Sequence, residues 1–151
     1  QVGELDAIVA PIGGGGMISG TCVTCAALAP NTKIYAAEPL NADDAYQSFK
    51  TGKLVEYDAP NTVADGLKVP LRDRTFYLVT KHVEDVLTVT EEEIVEAMKL
   101  IWQRMKIVVE PSSAVAFAAV LANPEIFKGK RVGIMLTGGN VDMDKLPWMT
   151  K

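Results

Sequence analysis

The stretch Ala10-Pro11-Ile12-Gly13-Gly14-Gly15-Gly16-Met17-Ile18-Ser19-Gly20 constrains this chain more than any other. Before it, Asp6 to Ile12 is a short apolar run that reads as a buried strand. After it, Met17 to Leu28 is rich in Ala, Cys, Val and Leu and long enough for a helix. A strand, then consecutive glycines, then a helix start makes an anion cradle. Residues without Cβ let the backbone turn tightly and aim several N–H groups at one point. The helix N-terminus adds unpaired donors and a partial positive charge. A plain turn needs only one or two glycines, and an uninterrupted run loses conformational entropy on folding. A phosphate is therefore the natural occupant.

Two familiar phosphate motifs do not fit. Gly-x-x-x-x-Gly-Lys-Ser/Thr fails because Gly20 is followed by Thr21 and Cys22. Gly-x-Gly-x-x-Gly fails because its third glycine falls on Ile18 or Ser19. Glu38 ends the next apolar run, Lys33 to Ala37, about where a ribose-binding acid would sit. A nicotinamide-dinucleotide domain is thus one alternative, and a non-catalytic structural fragment is another.

At 151 residues the chain amounts to about one domain, with no internal linker or repeat. A hydrophobic share of 48% supports a normal core. A net charge of -4 argues against a nucleic-acid partner, since phosphate backbones attract basic surfaces. No apolar run approaches membrane-spanning length, and no signal peptide is evident. The expected setting is cytoplasmic. Gln1-Val2-Gly3-Glu4-Leu5 leads almost at once into a core strand, so the chain reads as a piece of a longer one. Cys22 and Cys25 form a Cys-x-x-Cys, but two thiols do not complete a zinc site, and they fall beyond a helix's first turn. Small core residues are the simpler reading.

Strands at Lys33–Glu38, Val86–Val89 and Arg131–Leu136 alternate with helices, which predicts a parallel sheet with ligands beyond its carboxyl ends. Residues 41–50 read as a short helix capped by Asn41, with Asp43 and Asp44 in its first turn. Capping accounts for both acids but not for Glu38. Glu38 and Asp44, with a main-chain carbonyl of the intervening turn, also make a sparse oxygen set suited to Mg²⁺ or Ca²⁺. From Lys53 to His82 the pattern fades, apart from a short helix over Thr75–Val83. Such a long loop is usually functional, and Thr62 to Leu67 has the small-residue character of backbone close to a ligand. His82, the only histidine, reads as a solvated loop residue. Thr90-Glu91-Glu92-Glu93 is a capping box, followed by a buried stripe of Ile94, Ala97, Met98, Ile101 and Met105. Pro111 opens a helix buried on most faces through Leu121, with Glu110 at its entrance. Thr137-Gly138-Gly139-Asn140 again puts a hydroxyl and glycines at a strand's carboxyl end.

Gly13 to Met17, residues 37–44, Ala64-Asp65-Gly66, Arg104-Met105-Lys106, Glu110-Pro111 and residues 137–142 together resemble the serine racemase and serine/threonine dehydratase family of fold-type II pyridoxal-phosphate (PLP) enzymes. The resemblance implies an α/β fold: a three-layer open, mainly parallel sheet with helices on both faces, part of that family's large domain. It implies that Gly13, Gly14, Gly15, Gly16 and Met17 hold the PLP phosphate. Gly66 would lie at the cofactor's face and Glu110 near its ring. Thr137 would place its hydroxyl at the pyridine nitrogen, where the family usually has Ser. Such a partner leaves that nitrogen largely unprotonated and the electron sink weak. Glu38, the Ala42 carbonyl and Asp44 would bind a divalent cation (Mg²⁺, Mn²⁺ or Ca²⁺). Lys106 and Asn140 match positions of the family's ATP effector site at a subunit interface. Serine or threonine as substrate, and a homodimer, are implied likewise.

The family holds PLP as a Schiff base on a lysine in a segment like Ser-x-Lys-x-Arg-Gly-Ala, and no such segment occurs here. Phe49-Lys50 lacks its flanks, and nothing in the spacing of Asp65 or Lys68 lets them stand in. The serine used on the opposite face and the small domain are missing as well. The chain resembles the carboxyl-terminal half of such an enzyme, with no catalytic residue of its own, and alone should neither racemise nor dehydrate.

Overall fold

The computed structural model describes residues 2–58 and 60–149. Gln1 of the lead-in and Ala59 of the long loop lie outside the described residues. Four strands, β1 (Ala7–Pro11), β2 (Lys33–Pro39), β3 (Asp85–Val89) and β4 (Val132–Ile134), form a single parallel sheet in the order β3-β2-β1-β4. Val9 stands opposite both Tyr35 and Ile134, and Ala37 opposite Leu87. β2 is buried without interruption from Ile34 to Pro39, as expected of a parallel strand covered on both faces.

The helices are α1 (Gly16–Leu28), α2 (Asp44–Thr51), α3 (Asp73–His82), α4 (Glu91–Leu100), α5 (Pro111–Ala122) and α6 (Pro124–Phe127). Alternate strand residues feed two cores. Val9, Tyr35, Ala37, Leu87 and Val89 pack with α4 and α5, while Ala10, Ile34, Ala36 and Val86 pack with α1 and α3. The three-layer α/β architecture is thus as the sequence implies. Among the described residues no helix is long and apolar enough to cross a membrane.

Local chemistry explains most boundaries. The Thr90 hydroxyl accepts the Glu93 amide at 3.3 Å, and the Glu93 carboxylate accepts the Thr90 amide at 2.8 Å, so the capping box opens α4 as expected. Ile94, Ala97, Met98 and Ile101 are buried, but Met105 is 56% exposed. Residues Ile101–Met105 form a π turn, whose wider winding swings Met105 off the stripe. Pro111 opens α5 as expected. α3 starts at Asp73, earlier than its apolar pattern, because the Thr75 hydroxyl accepts the Arg72 amide at 3.0 Å. His82 is not a loop residue: it ends α3, where a basic group suits the helix dipole, and is half-buried. Asn41 does not cap α2. It lies in a 3-10 turn, Leu40–Ala42, and the amides of Ala45 and Tyr46 are taken instead by Glu38.

Cys22 and Cys25 are free and buried, in keeping with their reading as core residues. Burial pushes the Cys22 thiol up to about 11. Between β1 and α1, Gly15 adopts φ 79°, and a Cβ there would stand 2.6 Å from Leu71 Cδ2. A Cβ on Gly16 would meet nothing within 4 Å.

Two outcomes follow from this packing. Gly15→Ala should destabilise the protein by about 2 kcal/mol or more, from left-handed strain plus overpacking. Gly16→Ala should shift the urea midpoint far less, with unchanged m-values in both. Separately, both thiols should resist a thiol reagent at neutral pH until the protein is unfolded. Because the folded-state pKa of Cys22 lies above its ordinary value of 9.0, its stabilising contribution is complete below pH 9 and lost as pH rises to about 11; equilibrium unfolding across that range reads the decline.

Candidate functional site

All four strands point their carboxyl ends the same way, and a cleft of about 260 Å³ opens there. Its walls include Gly13 to Ile18, Gly66, Glu110, Ser112 and Thr137. Every residue singled out around the implied cofactor, namely Gly13, Gly14, Gly15, Gly16, Met17, Gly66, Glu110 and Thr137, therefore reaches one cleft from four separate segments. A larger recess of about 650 Å³ lies at the opposite end, lined by residues such as Leu5, Asp6, Pro30 and Lys33. In open α/β sheets ligands gather at the carboxyl ends, so the smaller cleft is the candidate site.

The glycine run is shaped by what lies against it. A Cβ on Gly13 would stand 3.0 Å from Leu67 Cα, one on Gly14 would stand 3.3 Å from Val69 Cγ1, and Gly15 faces Leu71. Alternate residues of the long loop thus lie along three successive glycines. Gly16 and Met17, by contrast, are exposed. α1 carries no side-chain cap and no acid in its first turn. Its leading amides are free to receive an anion, so the residues present fit a phosphate group.

The other walls are fastened by side chains. The Gly66 amide donates to Ser112 Oγ at 3.1 Å, and the Thr137 amide donates to Ser113 Oγ at 2.9 Å. Glu110 accepts the Asn140 amide through Oε2 at 3.3 Å, and its own amide donates to the Gly138 carbonyl at 3.0 Å. Upstream of Gly66, the Val63 amide donates to Glu91 Oε2 at 2.7 Å. The sequence reading missed Ser112, Ser113 and Glu91. The available signal was a pair of hydroxyls opening an otherwise Ala/Val/Phe-rich helix, since buried polar groups need partners.

Glu38 and Asp44 meet at the end of β2 and the start of α2, and are 1% and 3% exposed. The Glu38 oxygens accept the Ala45 amide at 3.0 Å and the Tyr46 amide at 2.8 Å. Those amides favour its anion, but burial outweighs them and pushes Glu38 up to about 9. Asp44 is pushed up to about 6, again chiefly by burial. Asp44 Oδ2 is buried without a hydrogen-bond partner. Two buried acids with an orphaned oxygen, beside the buried Ala42, lack only positive charge. The donor set is oxygen throughout and fits a hard divalent cation. Among the described residues no group of three or more His, Cys, Asp or Glu side chains forms a metal site. Because Glu38 is turned into α2, it is not presented to a ribose, which removes the motive for a dinucleotide domain.

Lys106 and Asn140 are not brought into this cleft. Lys106, at φ 61°, lines a separate pocket of about 320 Å³ with Lys99, Trp102, Gln103 and Trp148. Asn140 is not among that pocket's walls.

Residues 1–138 match the family model described as "Pyridoxal-phosphate dependent enzyme". The chain is 64% identical over 148 residues to a beta-hydroxyaspartate dehydratase of Paracoccus denitrificans, an alignment covering 98% of this chain and 47% of that protein. It is 49% identical to a serine racemase of Dictyostelium discoideum, covering 97% of this chain and 46% of that one. The solved structure of maize serine racemase superposes with a TM-score of 0.91 at 41% identity, over 99% of this chain and 47% of that chain. The chain thus spans about half the length of the curated relatives it matches. On the extent of the family match, with the fold and cleft it accompanies, this chain belongs to the pyridoxal-phosphate dependent enzymes.

Proposed function

We propose that this chain is the PLP-phosphate- and divalent-cation-binding portion of a serine racemase-like enzyme. Residues 1–151 would form a single domain, the later part of the cofactor-binding large domain. The substrate class is a β-hydroxy amino acid: serine, threonine or, in line with the 64% identical relative, hydroxyaspartate. The observation that carries the reading is the single cleft to which the glycine run, Gly66, Glu110 and Thr137 all contribute. The whole enzyme would racemise its substrate or dehydrate it to a keto acid and ammonia.

Bound PLP supplies an electron sink that allows the Cα–H bond of an amino acid to break. The chain's own residues would bind and orient it. The uncapped amides opening α1 hold the phosphate, with the dipole of α1 adding positive potential. Gly66 would present backbone to the ring's face, its own side held against Ser112, where a Cβ would stand 3.0 Å from Oγ. Thr137 would place its hydroxyl at the ring nitrogen, and Glu110 would lie near the ring, both residues lining the cleft. A hydroxyl partner, unlike a carboxylate, leaves that nitrogen mainly unprotonated. Glu38, Asp44 and the Ala42 carbonyl would hold Mg²⁺, Mn²⁺ or Ca²⁺, locking the end of β2 to the start of α2. The base that takes the Cα proton belongs to the remainder of the enzyme. Lys106 and Asn140 would serve an ATP effector across a homodimer interface, and the two free thiols suit a reducing, cytoplasmic setting.

Borohydride reduction of the full-length protein, followed by digestion, should leave the coenzyme on a lysine outside residues 1–151. Recovery of the label on Lys50, Lys68 or another lysine of this chain would contradict the assignment of its residues to phosphate and ring contacts. Millimolar Mg²⁺, Mn²⁺ or Ca²⁺ at pH 8 should raise the midpoint of thermal unfolding by several degrees, a shift corresponding to about 1 kcal/mol. Asp44→Asn should abolish most of that increment; an equal increment in the variant would remove Asp44 from the ligand set.

A further inference from the structure

Two adjacent residues at the start of α5 reach two different loops. Ser112 is 3% exposed and takes the Gly66 amide at 3.1 Å; Ser113 is 0% exposed and takes the Thr137 amide at 2.9 Å. Consecutive residues on a helix diverge by about 100° around its axis, so neighbouring hydroxyls serve partners on different sides. Those partners are distant in sequence, 46 residues back for Gly66 and 24 residues on for Thr137. Both partners line the cleft, and so does Ser112. The helix that carries the serines is the buried centre of one core, with Ala114, Val115, Ala118 and Ala119 packed against strand residues of the sheet.

Gly66 lies so close to Ser112 that a Cβ added to it would stand 3.0 Å from Ser112 Oγ, so the position has no room for a side chain on that side. Thr137 lies one residue from Gly138, whose Cβ position is 2.7 Å from Glu110 Oε1. Both loops are therefore fitted to the first turn of α5 as well as hydrogen-bonded to it. Most buried hydroxyls are hydrogen-bonded, because leaving one unpaired is costly. Unlike Ser19 Oγ of α1, which is buried without a partner, Ser112 and Ser113 each have one, on different walls.

We propose that Ser112 and Ser113 are positioning residues that fix the two walls of the coenzyme slot relative to each other, Ser112 through Gly66 and Ser113 through Thr137. The inference rests on the PLP reading for the identity of the occupant, but not for the existence of the clamp. Ser113 does not line the cleft; it acts through Thr137, the residue assigned to the ring nitrogen. Loss of its hydroxyl should therefore disturb the coenzyme's electronic environment, whereas loss of the Ser112 hydroxyl should loosen the wall at the ring's face.

The test uses the full-length protein. Ser113→Ala should weaken PLP affinity about tenfold, the scale of one lost buried hydrogen bond, and shift the absorption band of the bound coenzyme. Ser113→Thr, which keeps the hydroxyl, should return both towards the unmodified values. Ser112→Ala should weaken affinity with little change in the band. If Ser113→Ala lowers only thermal stability, leaving affinity and spectrum untouched, the serine is a structural residue and the proposal is overturned. Amide hydrogen exchange in the unmodified, PLP-free protein decides the case even if a variant fails to fold. Slow exchange at Gly66 and Thr137 supports the clamp, and exchange at the rate of open loop amides overturns it. An unmodified protein that shows slow exchange there but binds no PLP would refute the coenzyme reading while leaving the clamp standing.

Discussion

The absence of side chains between Ile12 and Met17 is the constraint on which this structure depends. Gly13, Gly14 and Gly15 lie against Leu67, Val69 and Leu71, at separations that a Cβ would close to between 2.6 and 3.3 Å. The long loop can cross the end of β1 only because that surface is bare backbone. Bare backbone there also frees the first amides of α1 to face the cleft. One run of residues thus answers two demands: the loop needs room on one side, and an anion needs donors on the other. Gly16, where an added Cβ would meet no atom within 4 Å, is the member of the run that the loop leaves uncovered.

The same economy governs the end of β2. Glu38 is nearly inaccessible, yet it is a carboxylate at the end of a buried parallel strand, where a charge is expensive. It is tolerated because α2 begins directly beside it and donates two amides, which the helix would otherwise leave without partners. That arrangement satisfies the helix but leaves the acids of the pair short of positive charge. Asp44, with one oxygen unpartnered, marks where the shortfall lies. Had Asn41 capped the helix, Glu38 would have had no structural reason to be where it is.

How much was legible in the sequence follows from whether each feature was encoded locally. The Thr90–Glu93 box, Pro111 at the start of α5 and the apolar core strands depend on residues within a few positions of each other, and were read correctly. Gly13 to Gly16 and Thr137 stand out because glycines and a hydroxyl at strand ends are themselves the signal, whereas Glu110 is marked only by the family resemblance, since its own sequence context reads as an acid at a helix entrance. What escaped depended on distant partners. Nothing near Asn41 shows that Glu38 takes its capping duty, because the relevant geometry is that of β2 against α2. Met105 fits the apolar period, but a π turn that periodicity does not register carries it to the surface. Ser112 and Ser113 look like ordinary early-helix serines until loops 46 residues before and 24 residues after are brought to them.

The distribution of these long-range contacts explains how a chain spanning about half the length of its curated relatives can hold a well-formed cleft. Every wall of the cleft is secured from within the 151 residues: the glycine run by the loop laid on it, Gly66 by Ser112, Thr137 by Ser113, and the loop at Gly138 and Asn140 by Glu110. Each fastening ends on β1, α1 or α5, elements that share the buried centre of the sheet. In the proposed reading, binding and orientation would be concentrated on one rigid sheet, and the groups that move protons would belong to other parts of the enzyme. Such a division separates two requirements that conflict within a single element. A cofactor surface needs fixed amides and a closely packed backing, whereas a base that must approach and leave a substrate needs freedom to shift. In the proposed reading the glycine run, Ser112 and Ser113 would serve the first requirement, holding backbone amides fixed against a packed backing.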